Sequence, residues 1–367
     1  MIYFDNAATS FPKPRIVLRE INKCVRYYCG NPGRSGHFLA IKSSEKVYEA
    51  RENIAKLFKY NNPERIVFCQ NATHGLNIAI KGLVNKNTSV IISDLEHNSV
   101  IRPLYKALGK SGDISVFDSD LNLYKAIVPL IKEDTKVLIS TLSSNVTGKV
   151  LDPYILSDIA RKYNLSLILD ASQYAGHLPL DLSKCKCDAL IAPGHKSLFG
   201  LQGSGFIIMC TDKTYDTIIE GGNGLDTLNT EMPELLPERF EAGTLAVPSI
   251  VGLSKGIEFI LERGEITIKE KLEDLTSKAF DILSNIPNIK IYGAENGIIS
   301  FCQNNVPSSV TSNILSSSGI ASRSGLHCAP LIHRKMGTLD NGLVRLSFSY
   351  FNNRRQLDKL YKALKYN

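Results

Sequence analysis

The sequence lacks the features that would place the protein in a membrane, in a secretory pathway or on nucleic acid. No apolar run approaches the ~18 residues that a membrane-spanning helix requires. The first fourteen residues hold no basic segment followed by an apolar one, so we recognise no secretory signal. Basic residues are spread along the chain, whereas a nucleic-acid-binding surface would show a basic stripe with interleaved aromatic residues. We therefore expect a cytoplasmic protein that binds neither membrane nor nucleic acid.

A disulfide framework and a zinc site are also missing. The eight cysteines form no CxxC pair, and a reducing compartment would keep most of them as free thiols. Cys185 and Cys187 are separated by a single residue, but a tetrahedral zinc site needs a second pair of ligands. We therefore expect no metal site in this protein.

The composition is that of an ordinary globular protein. Hydrophobic residues make up 43% of the chain and charged residues 22%. The length of 367 residues is enough for one large domain and a smaller one. The net charge of +7 favours an anionic ligand or an acidic partner over a basic one.

Short apolar runs recur between residues 65 and 210. They are rich in Ile, Val and Leu and nearly continuous, which is typical of strands that are buried on both faces. Helical patterns lie between some of them, so the sequence predicts an α/β fold with a mostly parallel sheet between helices. The runs are residues 65–69, 89–93, 136–141, 165–171, 188–193 and 205–210.

The character of the chain changes at about residue 261, where helical stretches alternate with short strand-like runs. This pattern predicts a smaller α+β domain. We expect a large domain over residues 15–260 and a small domain formed by residues 1–14 and 261–367. Residues 221–237 are rich in Gly, Pro, Asn and Thr, which predicts a long functional loop.

Polar residues follow several of these runs, and the active sites of parallel sheets gather at the carboxyl ends of the strands. Asn71 and Thr73 follow the first run and could cap the next helix, whose N-terminus would suit a phosphate group. His97 follows the second run and Asn145 the third. Each of these residues also has an ordinary structural interpretation, as a helix cap or a packed polar side chain.

Asp170 and Lys196 follow the next two runs and together meet the needs of pyridoxal phosphate (PLP). That cofactor requires an amine for its aldehyde, a carboxylate for its ring nitrogen, an anion site for its phosphate and a flat group over its ring. Lys196 would supply the amine, and desolvation would lower its pKa. Gln173 would reach the ring's 3-oxygen, the Thr73 segment would hold the phosphate, and His97 would stack on the ring.

A series of motifs runs nearly from one end of the chain to the other. They are YFDNAATS (3–10), NATHGLN (71–77), LEHNS (95–99), SNVTG (144–148), DASQYAGHLPLD (170–181), APGHK (192–196), RFEAGT (239–244), RSGLHCAP (323–330) and VRLSFSYFN (344–352). In this order they resemble the class V aminotransferase-like, fold-type I PLP enzymes. The branch they resemble is that of the cysteine desulfurases and selenocysteine lyases, in its group II, or Suf-like, form.

This resemblance implies a PLP-dependent cysteine desulfurase that converts L-cysteine to L-alanine. The sulfur would pass to Cys328 as a persulfide for an acceptor protein that serves iron–sulfur, thiolation or related pathways. Selenocysteine lyase or another class V aminotransferase-like enzyme is the alternative. The implied catalytic residues are Lys196, Cys328 and His97. The implied cofactor-binding residues are Asn71, Ala72, Thr73, His74, His97, Asp170, Gln173, His195, Lys196 and Thr244.

The resemblance also implies how the substrate is held and how the protein assembles. Asn145, Arg323 and Arg345 would bind the substrate, with Arg345 clamping its carboxylate in a bidentate fork. Thr244 would reach the phosphate of a neighbouring subunit. The active site would then be shared across a two-fold interface, which predicts a homodimer.

Two positions need separate comment: Cys328, whose role depends on the resemblance, and Pro193, which departs from the family's usual sequence. Cys328 by itself could be a buried filler, a zinc ligand or a nucleophile, and the resemblance makes it the nucleophile. Its thiolate would need a lowered pKa or a proton acceptor, for which His327 and His97 are candidates. Pro193 stands where Suf-like relatives usually have Ser or Thr, so one hydroxyl contact to the phosphate is lost or moved.

Overall fold

The computed structural model describes residues 1–33, 35–109, 112–213, 215–225 and 227–365. The strands are β1 (Ile2–Tyr3), β2 (Ile66–Cys69), β3 (Ser89–Ser93), β4 (Asp113–Phe117), β5 (Thr135–Thr141), β6 (Ser166–Asp170), β7 (Ala189–Pro193), β8 (Gly205–Met209), β9 (Ile289–Glu295), β10 (Ile298–Gln303), β11 (Ile320–Ala321), β12 (Arg323–Gly325) and β13 (Leu343–Ser347). The α-helices are α1 (Arg15–Tyr27), α2 (Phe38–Leu57), α3 (Ala72–Leu83), α4 (Asn98–Leu108), α5 (Leu123–Ile127), α6 (Pro153–Lys162), α7 (Val247–Arg263), α8 (Glu265–Ser284), α9 (Ser308–Ser317), α10 (Pro330–Lys335) and α11 (Arg354–Lys365). Short 3-10 helices cover Pro63–Arg65 and Val128–Leu130.

The large sheet has the strand order β2-β8-β7-β6-β5-β3-β4. Strands β7, β6, β5, β3 and β4 run parallel to one another, and β8 is antiparallel to both β7 and β2. In β3, Ile91 packs into one hydrophobic core and Val90 and Ile92 into the other. Burial on both faces is the reason for the nearly continuous apolar runs. The predicted mostly parallel sheet is confirmed, and every predicted run between 65 and 210 forms a strand.

Strand β4 has no counterpart among the predicted runs. It lies at the edge of the sheet and pairs on one side only, with β3. Four of its five residues are at least partly exposed. An edge strand buries less apolar surface than a central one, so its sequence, Asp-Ile-Ser-Val-Phe, carries a weaker signal.

A second sheet, with the order β12-β13-β10-β9, is antiparallel throughout. Strand β1 pairs in parallel with β11, and Asp5 bridges to Ser347 beyond β1. The N-terminal arm therefore lies with the C-terminal part of the chain. Helix α7 runs through residue 260, and the domain boundaries stay a prediction. Among the described residues, no helix combines the length and apolar character needed to cross a membrane.

The described residues between Cys210 and Val247 form no helix or strand. A buried ion pair anchors the end of this segment to α2: a terminal guanidinium nitrogen of Arg51 lies 2.7 Å from both carboxylate oxygens of Glu241. The backbone N–H of Phe68 donates to the same carboxylate, and Arg51 Nε donates to the carbonyl of Ile66. All four donors and acceptors belong to buried residues, so this network fixes the segment to the edge of the large sheet.

We expect Glu241→Gln to destabilise the protein by about 3 kcal/mol, because it leaves the Arg51 guanidinium buried without a counter-charge. The measurement is the urea midpoint of unfolding. Glu45→Gln is the matched control, since Glu45 pairs with Lys42 in solvent and should leave the midpoint unchanged. An equal midpoint for Glu241→Gln and the control would show that the pair does not anchor the segment.

Candidate active site

A cavity of about 300 Å³ lies at the carboxyl ends of the parallel strands of the large sheet. It is lined by residues that follow β2, β3, β5, β6 and β7 and by residues of the N-terminal arm and of the second sheet. Most of the predicted site residues come together here. They are Asn71, Ala72, Thr73, His97, Asn145, Asp170, Gln173, His195, Lys196, Arg323 and Arg345.

One side of the cavity is formed by the N-termini of α3 and α4. The Asn71 side chain caps α3 by accepting from the N–H of His74 (2.9 Å), and the His97 ring caps α4 by accepting from the N–H of Ser99 (3.0 Å). The hydroxyl of Ser99 lies 2.7 Å from that of Thr73 and 2.8 Å from His97 Nδ1. The first N–H groups of a helix have no partner within it, so this edge of the cavity presents hydrogen-bond donors to an anion.

Close packing behind α3 depends on Gly205 in β8. A Cβ at this position would lie 3.0 Å from the backbone of Asn71, which is closer than most side chains tolerate. The glycine lets β8 support the turn that opens α3, and so it helps to hold the N–H groups in place.

Asp170 forms the floor of the cavity, and Glu96 is buried near it without lining the cavity. Asp170, at the end of β6, accepts from the N–H of Ser172 at 2.9 Å, and burial raises the pKa of its carboxyl. Glu96 accepts from the N–H of Thr141 at 2.8 Å and lies within electrostatic range of Asp170. Burial raises the pKa of Glu96 to about 8. A buried Asp170 carboxylate favours a cationic group in the cavity above it, whereas Glu96 is mostly protonated at neutral pH.

Lys196 lies beyond the end of β7 and faces this floor. Burial lowers its pKa to about 8; the carboxylate of Asp170 opposes this shift and the two guanidinium groups of Arg345 and Arg323 add to it. The preceding carbonyl, that of His195, accepts from Lys13 Nζ (2.9 Å) and from the N–H of Ser10 (3.0 Å). The N-terminal arm therefore fixes the turn that carries the lysine.

Two arginines form the opposite side. Arg323 and Arg345 are direct partners in the register of β12 and β13, so two like charges face each other on neighbouring strands. Arg345 is 1% exposed and donates to Asp5 and to the carbonyl of Asn145, both at 2.9 Å. Its Nε is buried with no partner among the described residues. Opposed cations are unfavourable, so a carboxylate that binds between them would be stabilised.

Cys328 does not line this cavity. It is exposed, and it lies on an adjoining open groove of about 410 Å³ that shares Thr73, His97 and Ser99 with the cavity. Its thiolate is close enough to raise the pKa of Lys196. The loop has an unusual backbone, with positive φ at Gly325, His327 and Cys328. The carbonyl of Cys328 accepts from the N–H of Asn98 at 2.7 Å, so the loop is tied to the start of α4.

The two histidines considered as proton acceptors are held neutral. Burial, followed by the charges of Lys196 and Arg323, lowers the pKa of His97 to about 4. Burial lowers the pKa of His327 to about 2, and its ring stacks on His333 at a centroid distance of 5.7 Å. Such weak bases take little of a thiol's proton at neutral pH. His327 lines the cavity with a buried, neutral ring, and the flat, neutral ring of His97 suits a stacking role.

Two predicted residues do not line the cavity, and two residues in or near it were not predicted. His74 accepts from the N–H of Gln70 behind the first turn of α3, and Thr244 is exposed beyond Glu241. Neither of them lines the cavity. Ser99 and Glu96 were not among the predicted site residues, although both belong to the LEHNS motif. Their signal was weak because a buried Glu and a helix-capping Ser acquire meaning only from neighbours distant in sequence.

The residues around the cavity fit pyridoxal phosphate. Lys196 offers an amine with a lowered pKa, and Asp170 offers a buried carboxylate for a protonated ring nitrogen. The start of α3, with the hydroxyls of Thr73 and Ser99, offers donors for a phosphate group. Pro193 lines the cavity without a hydroxyl, and the Ser99 hydroxyl could replace the one it lacks. The Gln173 side chain is buried and donates to the carbonyl of Ala7 at 2.9 Å.

Two further features, a larger cavity and a pair of neighbouring cysteines, lie outside the candidate active site. A larger cavity of about 770 Å³ lies between α8 and β9, but the charged groups on its described lining are Lys269, Glu273 and Glu295, away from the strand ends. Cys187 Sγ lies 3.8 Å from Cys210 Sγ. The part of the chain that the structure describes holds no group of three or more His, Cys, Asp or Glu suited to a metal ion.

Comparison with known proteins supports the same assignment. A probable cysteine desulfurase of Borreliella burgdorferi is 30% identical over 100% of this chain and 91% of that protein. A probable cysteine desulfurase of Methanothermobacter thermautotrophicus is 30% identical over 99% of this chain and 94% of that protein. The apo structure of cysteine desulfurase from Thermococcus onnurineus NA1 superposes with a TM-score of 0.90 at 26% identity, covering 100% of this chain and 94% of that one.

The family profile described as aminotransferase class-V matches residues 2–360. The predicted α/β fold of the fold-type I PLP enzymes is confirmed by the superposition. The predicted family is confirmed by a match that spans nearly the whole length. The chain therefore belongs to the class V aminotransferase family.

Proposed function

We propose that this enzyme is a PLP-dependent cysteine desulfurase that converts L-cysteine to L-alanine and takes the sulfur onto Cys328. The observation that carries the proposal is the convergence of Lys196, Asp170 and two arginines on one cavity, with an exposed cysteine on the adjoining groove. The similarity to proteins described as cysteine desulfurases supports it.

The described residues divide the chemistry among them. Arg323 and Arg345 bind the substrate's α-carboxylate, which relieves the repulsion between them. When bound, PLP supplies an electron sink for the substrate's α-carbon. Burial lowers the pKa of Lys196 to about 8, so a larger fraction of it is unprotonated at neutral pH than for an ordinary lysine, and it takes the α-proton and returns a proton to the product. Asp170 would balance positive charge at the cofactor's ring nitrogen, and the flat His97 ring would stack on the cofactor.

Sulfur transfer is the task of Cys328. Its thiolate attacks the substrate's sulfur, so a sulfur–sulfur bond forms while the bond between sulfur and the β-carbon breaks. The electrons of the broken bond remain with the carbon, which takes a proton, and alanine leaves. The positive φ values of His327 and Cys328 are unfavourable for residues with a Cβ, so contacts such as the hydrogen bond from Asn98 to the Cys328 carbonyl hold the loop in this conformation.

The assembly and setting belong to the same proposal. A homodimer, in which Thr244 completes the partner's phosphate site, is supported by the exposure of Thr244 and its distance from the cavity of its own chain. Delivery of the persulfide sulfur to an acceptor protein, for iron–sulfur cluster assembly among other uses, would take place in the cytoplasm. The eight free thiols suit such a reducing compartment.

The test is to incubate the purified, PLP-loaded protein with L-cysteine and a reductant and to measure alanine and sulfide. We expect a yellow protein that forms alanine and sulfide in equal amounts. A yellow protein that forms no alanine from L-cysteine would contradict the proposed substrate and leave the family assignment in place. L-Alanine and L-serine are the control substrates, since neither carries a transferable sulfur.

A further inference from the structure

The hairpin between β9 and β10 turns at Asn296 and Gly297. Glu295 pairs with Ile298, so the connection has two residues, and both have positive φ, +48° and +77°. Asn-Gly is a pair that a type I′ turn favours, so the turn by itself would explain both residues. Yet Asn296 is only 7% exposed, whereas a hairpin turn normally faces water. The turn alone therefore does not explain where this side chain lies.

The Asn296 amide joins two segments that follow strands of the large sheet. Its Nδ2 donates to the carbonyl of Gln173 at 2.8 Å and to the hydroxyl of Ser143 at 3.0 Å, and all three residues are buried. Gln173 belongs to the turn after β6, residues 170–177, which we call the cofactor-side turn. Ser143 belongs to the loop after β5, residues 143–148, which we call the substrate-side loop. Since β5 and β6 are neighbours, one side chain of the hairpin ties two adjacent strand ends together.

Both segments carry groups that line the candidate active site. The cofactor-side turn begins at Asp170, and the substrate-side loop carries Asn145. The carbonyl of Asn145 accepts from Arg345 at 2.9 Å, and its side chain donates to the carbonyl of His327 at 2.7 Å. His327 directly precedes Cys328 in the chain. The substrate-side loop therefore contacts both the buried arginine and the loop of the proposed nucleophile.

The hairpin packs closely against the substrate-side loop. Gly148 has a φ of +78°, and a Cβ at this position would lie 1.8 Å from the carbonyl oxygen of Glu295, so only glycine allows the approach. The hydroxyl of Ser300, in β10, donates to the carbonyl of Val146 at 2.5 Å. These contacts fix the hairpin on the loop and so fix the Asn296 amide beside its two acceptors.

His177, at the end of the cofactor-side turn, is a further neighbour of Asn296. Burial lowers the pKa of His177 to about 4, and the neighbouring Asn296 opposes that shift in part. The ring is therefore neutral at pH 7. Asn296 thus interacts with the cofactor-side turn at two places, Gln173 and His177. Because Asn296 and these partners are buried within one chain, the proposed homodimer leaves their contacts unchanged.

We propose that Asn296 is a positioning residue for the reaction. Its amide holds the cofactor-side turn and the substrate-side loop in fixed relation, so that Gln173 and Asn145 keep their places in the cavity. Asn296 does not line the cavity itself and acts through Gln173 and Ser143. The inference rests on the proposed function, because it concerns the same cavity. A misplacement of about 1 Å at a reacting centre can cost a factor of about 10² in rate.

Asn296→Gly tests the proposal, since it removes the amide and keeps a residue that suits a positive φ. We expect kcat for alanine formation, counted per bound PLP, to fall about tenfold to a hundredfold. The KM for L-cysteine should change by less than about threefold, because Arg345 keeps its bond to Asp5. The Kd of PLP, measured by equilibrium dialysis, should rise about fivefold, which is the equivalent of one lost hydrogen bond.

Asn296→Asp keeps the size of the side chain and a residue that the turn accepts, but it places an oxygen opposite the carbonyl of Gln173. Two facing acceptors repel, so kcat and the Kd of PLP should change at least as much as in Asn296→Gly. Hydrogen exchange in the cofactor-free protein gives a readout that does not involve catalysis. The backbone amides of residues 143–148 and 170–177 should exchange faster in both variants than in the wild type.

Asn305 provides the matched control. It has a φ of +62°, lies in the turn between the bridged residues Gln303 and Val306, and is exposed. Asn305→Gly and Asn305→Asp should leave kcat, KM and the Kd of PLP unchanged. A double-mutant cycle with Ser143→Ala adds a test of the mechanism. Asn296→Gly should lower kcat less in the Ser143→Ala background than in the wild type, whereas Asn305→Gly should have no effect in either.

The outcomes separate a positioning role from a structural one. A lower urea midpoint of Asn296→Gly, with kcat and the Kd of PLP unchanged, would make Asn296 a structural residue only and overturn the proposal. Strict additivity of Asn296→Gly and Ser143→Ala would overturn it as well. A wild type that forms no alanine from L-cysteine would instead contradict the proposed function. The Kd of PLP and the hydrogen exchange would then still decide whether Asn296 positions the two segments.

Discussion

Replacing Lys196 with alanine should lower kcat/KM for alanine formation from L-cysteine by about 10³-fold or more. Positioned proton transfer alone contributes a factor of 10² to 10⁴, and Lys196 is the amine that faces Asp170 across the cavity. The substitution also removes the group that would hold the cofactor covalently. PLP should therefore be lost on desalting from Lys196→Ala and retained by the wild type. The visible absorbance of the bound cofactor should disappear from the variant and remain in the wild type.

Lys269→Ala is the matched control for this experiment. Lys269 lines the larger cavity between α8 and β9, so its loss tests whether removing any cavity lysine has the same effect. The control should keep both its activity and its yellow colour. Methylamine supplied to Lys196→Ala should restore part of the rate, since a free amine can enter the space left by the side chain. If Lys196→Ala formed alanine at more than a tenth of the wild-type rate, Lys196 would not be the base.

Cys328→Ala should lower alanine formation from L-cysteine by about 10²-fold or more, because an oriented nucleophile within the same complex contributes a factor of this size or larger. Cys328 does not line the cofactor cavity, so the variant should still bind PLP with a normal spectrum. The expected result is a yellow protein with no persulfide after incubation with L-cysteine. The measurement combines alanine release with the mass of the intact protein, which gains one sulfur atom in the wild type only.

Cys29→Ala is the control, since Cys29 is the other exposed cysteine among the eight. It should react as the wild type does. Persulfide on a cysteine other than 328, or full activity in Cys328→Ala, would refute the assignment of the nucleophile. Activity of Cys328→Ser that is lost on L-cysteine but retained on L-selenocysteine would point to the selenocysteine lyase alternative.

The sequence alone identified most of the cavity, and the reason is topological. Asn71, His97, Asp170 and Lys196 each follow an apolar run, and such runs form buried parallel strands. Parallel strands bring their carboxyl ends to one edge, so residues 125 positions apart in the chain were predicted to meet. Helix caps such as Asn71 are also local in sequence, which is why they could be predicted.

Contacts that depend on the second sheet could not be predicted in this way. The direct opposition of Arg323 and Arg345 is a matter of the register between β12 and β13, which local sequence does not specify. Asp5 reaches Arg345 only because the N-terminal arm lies beside β13. The neutral state of His327 follows from burial, which depends on packing by residues throughout the loop.

By itself, the sequence of this protein determined most of the strands of the large sheet, β4 excepted, and the chemical groups available at the strand ends. Periodicity and helix capping depend on residues that are close together in the sequence. A parallel sheet then places the carboxyl ends of its strands at one edge, so residues that follow different strands meet there. Only the tertiary structure decided that Cys328 lies outside the cavity, on an adjoining groove. Charge pairing and burial are sums over neighbours brought together from distant parts of the chain, so they exist only once the chain has folded.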